Sequence, residues 1–151
     1  MSTHNSQRGF SLIELLIVVA VIGIVAAIAI PNLLASRRAA NEASAITGLR
    51  TIVGAQSTYF LTIGAGTYTT SEELANRGLL DAVIGDNEER KAGYVFDTST
   101  APDDVHLFNA TALSAGTSHG LRNFYANESG VISFVEYGTT PTRDAPGEPI
   151  H

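Results

Sequence analysis

An α+β fold, with one long N-terminal helix packed on a small antiparallel sheet of about four strands, follows from three features of the chain. An unbroken apolar run covers residues 10–35. A one-sided helical pattern carries on to residue 63. Short alternating segments, set apart by turn residues, fill the remainder.

The apolar run comes first. From Leu15 through Ser36 there is no ionisable side chain, about 22 residues, enough at ~1.5 Å per residue to cross a ~30 Å hydrocarbon core as a helix. Glu14 stands just inside the start of this run. A carboxylate costs roughly 2.5–3.5 kcal/mol at mid-membrane and less near an interface, so a use for that charge is expected. Pro31 lacks an amide donor and would clash with the Ala27 carbonyl, so a kink, a local opening or the end of the helix is expected there.

Past Asn32 the pattern changes. Ile46, Leu49, Val53, Gln56 and Phe60, with Ile52, Tyr59 and Ile63 alongside, recur at helical spacing and define one apolar stripe. Glu42, Arg50, Thr51 and Thr58 are read as lying largely off it. The helix therefore spans about residues 10–63, and Gly64-Ala65-Gly66 ends it. Thr70 and Glu73 stand at capping-box spacing and open a short helix over 71–77, closed by Gly78. Strand-like runs follow at 93–98, 105–113, 122–127 and 131–136. Asn127-Glu128-Ser129-Gly130 reads as a tight hairpin connection, and the Pro- and Gly-rich tail from Gly138 as loop.

Composition narrows the function classes. Once the first 35 or so residues are set aside, the 151-residue chain has enough length left for one small domain. It has no cysteine, which excludes a disulfide framework and thiolate metal sites. Its net charge of -6 and a pI near 5.0 argue against a nucleic-acid partner. His4, His106, His119 and His151 show no metal-ligand spacing, and neither a nucleophile elbow nor a P-loop is present. Asn109-Ala110-Thr111 and Asn127-Glu128-Ser129 match the short glycosylation pattern, and Phe10, Tyr59, Phe60 and Tyr68 read as packing aromatics. A cleaved secretory signal competes for the N-terminal run, with Ala27, Ala29 and Ala35 as small residues. That run is longer than the usual h-region of about 7–15 residues, and Glu14 falls where such a region should be cleanest.

Arg8-Gly9-Phe10-Ser11-Leu12-Ile13-Glu14 resembles the type IV prepilin family, whose signal is shared by type IV pilins and the pseudopilins of type II secretion systems. The family pattern is a polar leader ending in Gly, then Phe, then an apolar stretch with Glu at the fifth mature position. Gly9, Phe10 and Glu14 match it, and the run through Ile30-Pro31-Asn32 is similar as well. The resemblance covers residues 8 to about 60.

The resemblance implies a pilin-like fold in four parts: a leader at 1–9, a transmembrane and filament-core helix at 10–35, its amphipathic continuation at 36–63, and a head at 64–151 with a loop-rich tail. It implies cutting after Gly9 by a membrane-embedded prepilin peptidase and N-methylation of Phe10. The product would be a structural subunit, not an enzyme: part of a homo-oligomeric type IV pilus-like filament built through an inner-membrane assembly platform. The precursor would span the bacterial inner membrane once, in contact with lipid and with its N-terminus cytoplasmic. It would then enter a periplasmic or cell-surface filament. A major-type pseudopilin of a type II secretion system is the alternative, and a bitopic binding domain on an uncleaved anchor the second.

Two departures matter. Many pilins close their last loop with a disulfide, which this chain lacks the cysteines to form. Major pseudopilins often bind calcium there. Asp97, Asp103, Asp104, Glu128, Asp144 and Glu148 supply oxygens without a recognisable loop, so no cofactor is expected, with calcium as the alternative.

The chemistry of assembly can be argued from the residues. Cleavage would create an α-ammonium with an ordinary pKa of about 8 at Phe10, on the positive end of the helix dipole. Glu14, one turn inward, is read as poorly placed to fold back on its own terminus and well placed to meet the ammonium of an adjacent copy. Either charge is costly in lipid when unpaired, so pairing would favour assembly and set its axial register. Ala20, Gly23, Ala26, Ala27 and Ala29 would allow close helix approach, and the resemblance implies that residues around Gly23 to Pro31 can stretch when packed into a filament.

Overall fold

The computed structural model describes residues 9–86, 90–101 and 104–150. It comprises helices α1 (Leu12–Thr62), α2 (Ser71–Asn76) and α3 (Ala82–Gly85), and strands β1 (Arg90–Lys91), β2 (Tyr94–Ala101), β3 (Asp104–Ser114), β4 (Arg122–Asn127), β5 (Ser133–Glu136) and β6 (Glu148–Pro149). The chain divides into two compact units between Ser36 and Arg37.

In the first unit α1 is long and apolar enough to cross a membrane. Its large side chains stand open, Ile17, Ile22 and Ile28 among them. Backbone bonding sustains such a helix, because past the first turn each N–H finds its carbonyl one turn back, Pro31 having none to offer. Pro31 does not end it. The helix runs through that position, and Asn32 Nδ2 donates to the Ile28 carbonyl at 3.1 Å, beside the place where the missing proline donor would have bonded.

In the second unit the sheet is a meander, β1 to β6 in spatial order with every neighbouring pair antiparallel. The long strands β2 to β5 match the predicted runs. The two-residue edges β1 and β6 exceed the prediction, since β6 ends in a proline that cannot donate and nothing in so short a segment alternates. Helix α3 was also not anticipated; Asp81 caps it by accepting from the Val83 N–H at 3.2 Å. Thr70 caps α2 as expected, accepting from the Glu73 N–H.

Register explains the core. Phe96, Ala112, Phe124 and Phe134 lie opposite one another across β2 to β5, a row of three rings with one small residue on the face that carries α1. The facing stripe of α1 is Glu42, Ala45, Gly48, Leu49, Ile52, Ala55 and Gln56. It is rotated from the sequence reading: Ile63 is exposed and Glu42 is buried. Gly48 is required there, because a Cβ would come within 2.5 Å of the Phe96 ring. Gln56, fully buried, has both ends of its amide satisfied by Thr69, whose carbonyl accepts from Nε2 and whose N–H donates to Oε1. It thereby pins the loop after α1, where the Gly66 N–H returns to the Phe60 carbonyl at 3.1 Å.

Glu42 corrects the amphipathic reading. Its Oε2 accepts from Arg122 Nη2 at 2.7 Å and Nε at 2.9 Å, and Oε1 accepts from the Leu121 N–H at 2.9 Å. The Arg122 guanidinium also lies 4.9 Å from the Phe134 ring centroid. A charge counted as solvent-facing thus joins the helix to β4. Phe60, Tyr68 and Phe108 pack at 4.8 Å centroid spacings, which bears out the packing role of Phe60 and Tyr68.

Candidate functional site at the N-terminus

Helix α1 begins at Leu12, so Gly9 and Phe10 precede it in non-helical backbone, and the Phe10 ring is 80% exposed. The Gly9–Phe10 peptide therefore lies outside the helix. The expected leader up to Arg8, His4 included, lies outside the described residues, as do Asp103 and His151.

Ser11 immediately precedes the helix. Its carbonyl accepts from the Leu15 N–H at 3.3 Å, and its own N–H donates to Glu14 Oε2 at 2.9 Å. Ser11-Leu12-Ile13-Glu14 has capping-box spacing, and its carboxylate half is formed. The carboxylate thus reaches back as far as the Ser11 N–H, one residue short of the Phe10 nitrogen that the expectation concerned. In a single chain the carboxylate already satisfies one of the orphan donors at the helix start, where the dipole favours it by about 0.3–1 kcal/mol. An incoming ammonium would compete with this internal bond. The signal was visible in the sequence as Ser-x-x-Glu, though the expectation was built on the distance from Glu14 to Phe10.

The candidate calcium ligands do not converge. Among the described residues no group of three or more His, Cys, Asp or Glu side chains could hold a metal. Asp104 accepts from the His106 N–H at 2.8 Å, and Asp97, Asp144 and Glu148 are exposed on β2, in the tail and on β6. Glu128 is engaged by Arg143, whose Nη1 and Nη2 donate to its two oxygens at 2.7 and 2.8 Å.

Those bonds hold the Glu128 carboxyl below its ordinary 4.5, with burial opposing them. The folded-state pKa is the lower one, so this pairing contributes fully above the unfolded value and is lost as pH falls through the folded value. Tyr68, Tyr125 and Asp144 face the same pair. The urea midpoint of the wild-type chain is expected to fall more steeply than that of Glu128→Gln once pH drops below 4.5, and the two curves to run parallel above about pH 6.

Comparison with known proteins agrees with this architecture. Residues 4–30 match the prokaryotic N-terminal methylation motif, the part of the chain that carries the resemblance. It is 38% identical over 107 residues to the type IV major pilin protein PilA of Myxococcus xanthus, an alignment covering 71% of this chain and 44% of that protein. Identity to the type IV wide pilus major component PilA4 of Thermus thermophilus is 46% over 68 residues, 45% of this chain and 50% of the relative. Identity to the type II secretion system core protein G of Escherichia coli is 31% over 61 residues, 40% of this chain and 42% of the relative. The chain thus spans half or less of the length of each of these relatives. No solved structure matches it at a significant level.

Proposed function

We propose that this chain is a structural subunit of a type IV pilus-like filament, cut after Gly9, methylated at Phe10 and polymerised through α1. The observation that carries the reading is a methylation motif over residues 4–30 that runs into a long apolar helix, whose large apolar side chains from Leu12 to Leu34 stand exposed. Removing that surface from lipid or water against copies of itself is the favourable step, and the small residues at Ala20, Gly23, Ala26, Ala27 and Ala29 support close packing. Glu14 would exchange the Ser11 N–H for a neighbour's ammonium, and Pro31, already accommodated within the helix, would be the point of extension.

The partners on this reading are further copies, a prepilin peptidase, an inner-membrane assembly platform and lipid. The precursor spans the inner membrane with its N-terminus cytoplasmic, and the product is a periplasmic or surface filament. The role is not enzymatic and needs no cofactor; Glu128 already neutralises its charge on Arg143, which leaves calcium little to bind there. The major pilin from Myxococcus aligns over 71% of the chain against 40% for the secretion protein, which favours a pilus over a pseudopilin.

N-terminal mass spectrometry of the native protein tests the reading. N-methylphenylalanine from position 10 is the expected terminus. An intact Met1 on a monomeric, membrane-bound chain would establish the uncleaved anchor instead, and processed subunits without surface fibres would point to the pseudopilin.

A further inference from the structure

The tail after β5 does more than end the chain. It leaves the sheet through Tyr137, whose N–H donates to the Leu121 carbonyl at 2.8 Å, and its Thr139 carbonyl accepts from Asn123 Nδ2 at 2.7 Å. It returns as β6 beside β5, with Ser133 opposite Pro149 and Phe134 opposite Glu148, and closes with the Ile150 N–H on the Ile132 carbonyl at 2.9 Å. Asn123 and Tyr125 flank Phe124 on β4, so their side chains take the opposite sheet face, and both are buried. Strand β6 is two residues long and half proline, so its own ladder holds it weakly.

One side chain secures the middle of this segment. Arg143 places its guanidinium among three acceptors from two other parts of the head: both Glu128 oxygens in the β4–β5 turn, and the Phe108 carbonyl on β3, which accepts from Nη2 at 2.8 Å. Phe108, opposite Thr100 on β2, lies one residue beyond the last β3–β4 pair, Asn109 with Asn127, so no β4 residue pairs with it. A planar fork fits that arrangement; an ammonium would not span all three oxygens.

We propose that residues 137–150 form a detachable strap over the β5 edge, latched by Arg143 onto Glu128 and Phe108. With the latch closed, the strap covers Asn123 and Tyr125 and occupies the outer edge of β5. With it open, Ser133–Glu136 becomes an unpaired edge while β2, β3 and β4 stay paired. A strap held at one charged point in a chain without cysteine can open without unfolding the head. The proposal does not depend on the filament reading, since it concerns the head of one chain.

Hydrogen exchange on the full-length, detergent-solubilised protein tests it. Arg143→Gln and Glu128→Gln are each expected to speed exchange in peptides covering 133–150 at least tenfold. The double variant should exchange no faster than either single one, because both remove the same contact. Peptides covering β2 and β3 should lose no more protection than the urea-midpoint shift of the same variant accounts for. Should a glutamine variant fail to fold, Arg143→Lys carries the test, with an increase confined to the same peptides. Unchanged exchange over 133–150 overturns the latch, and so does an increase spread evenly over the head, which would make the pair a contributor to global stability only.

Discussion

Glu14→Leu is expected to give a chain that inserts in the membrane, is cut after Gly9, and falls at least tenfold in surface filament. The substitution removes the insertion penalty of a carboxylate and leaves every apolar contact of α1 in place, so failure to polymerise would be specific to the lost charge. Breaking a buried ion pair by removing one partner costs about 3–5 kcal/mol, a loss of about two to four orders of magnitude in a contact that the proposed filament would repeat at every subunit. The bond from the Ser11 N–H to Glu14 adds a second role that must be separated from the first. Glu14→Gln keeps an oxygen for that N–H and loses the charge. If the charge directs assembly, Gln fails as Leu does. If the cap is what matters, worth about 0.5–2 kcal/mol, Gln assembles and Leu does not. Filament yield by electron microscopy, normalised to processed subunit by immunoblot, reads both. Wild-type yield from Glu14→Leu would remove the charge from the mechanism.

The second large effect is in the head. Gly48→Ala is expected to destabilise it by about 1–3 kcal/mol, although alanine is the better helix former by roughly 0.5–1 kcal/mol. The reason is steric. The new Cβ would stand 2.5 Å from two atoms of the Phe96 ring, and that ring is fully buried in the row with Ala112 and Phe124 and has nowhere to go. Phe96→Ala alone should cost about 3–5 kcal/mol by leaving a cavity. The pair should couple: adding Phe96→Leu to Gly48→Ala should cost at least about 1 kcal/mol less than the sum of the two single changes, because the smaller side chain vacates the space the methyl needs. Urea unfolding of the full chain followed by circular dichroism measures all of these. Additive costs would mean that Gly48 is not set by Phe96.

Much of this was legible residue by residue. The uncharged run, the Gly-Phe step and the spaced glutamate are local patterns, and they account for the candidate processing site and the helix through Pro31. The four long strands showed as alternation, and α2 as its cap. The glutamine on the apolar stripe was also legible as an inward position, although its partner, Thr69, was not. The bond from Ser11 to Glu14 was legible in the Ser-x-x-Glu spacing.

Glu42, Gly48 and Arg143 were of a different kind. Each owes its role to a residue far along the chain: Arg122, Phe96 and Glu128 with Phe108. Periodicity places a charged side chain in solvent and a glycine nowhere in particular, because it records only the average cost of burial. Strand register then brings one guanidinium or one ring to that position, and a paired charge or a missing methyl becomes the lower-energy choice. Local order in this chain follows from backbone bonding and side-chain hydropathy, which neighbouring residues determine. The helix–sheet fit and the fastening of the tail arise from desolvated pairs and close packing, which exist only once the sheet has aligned.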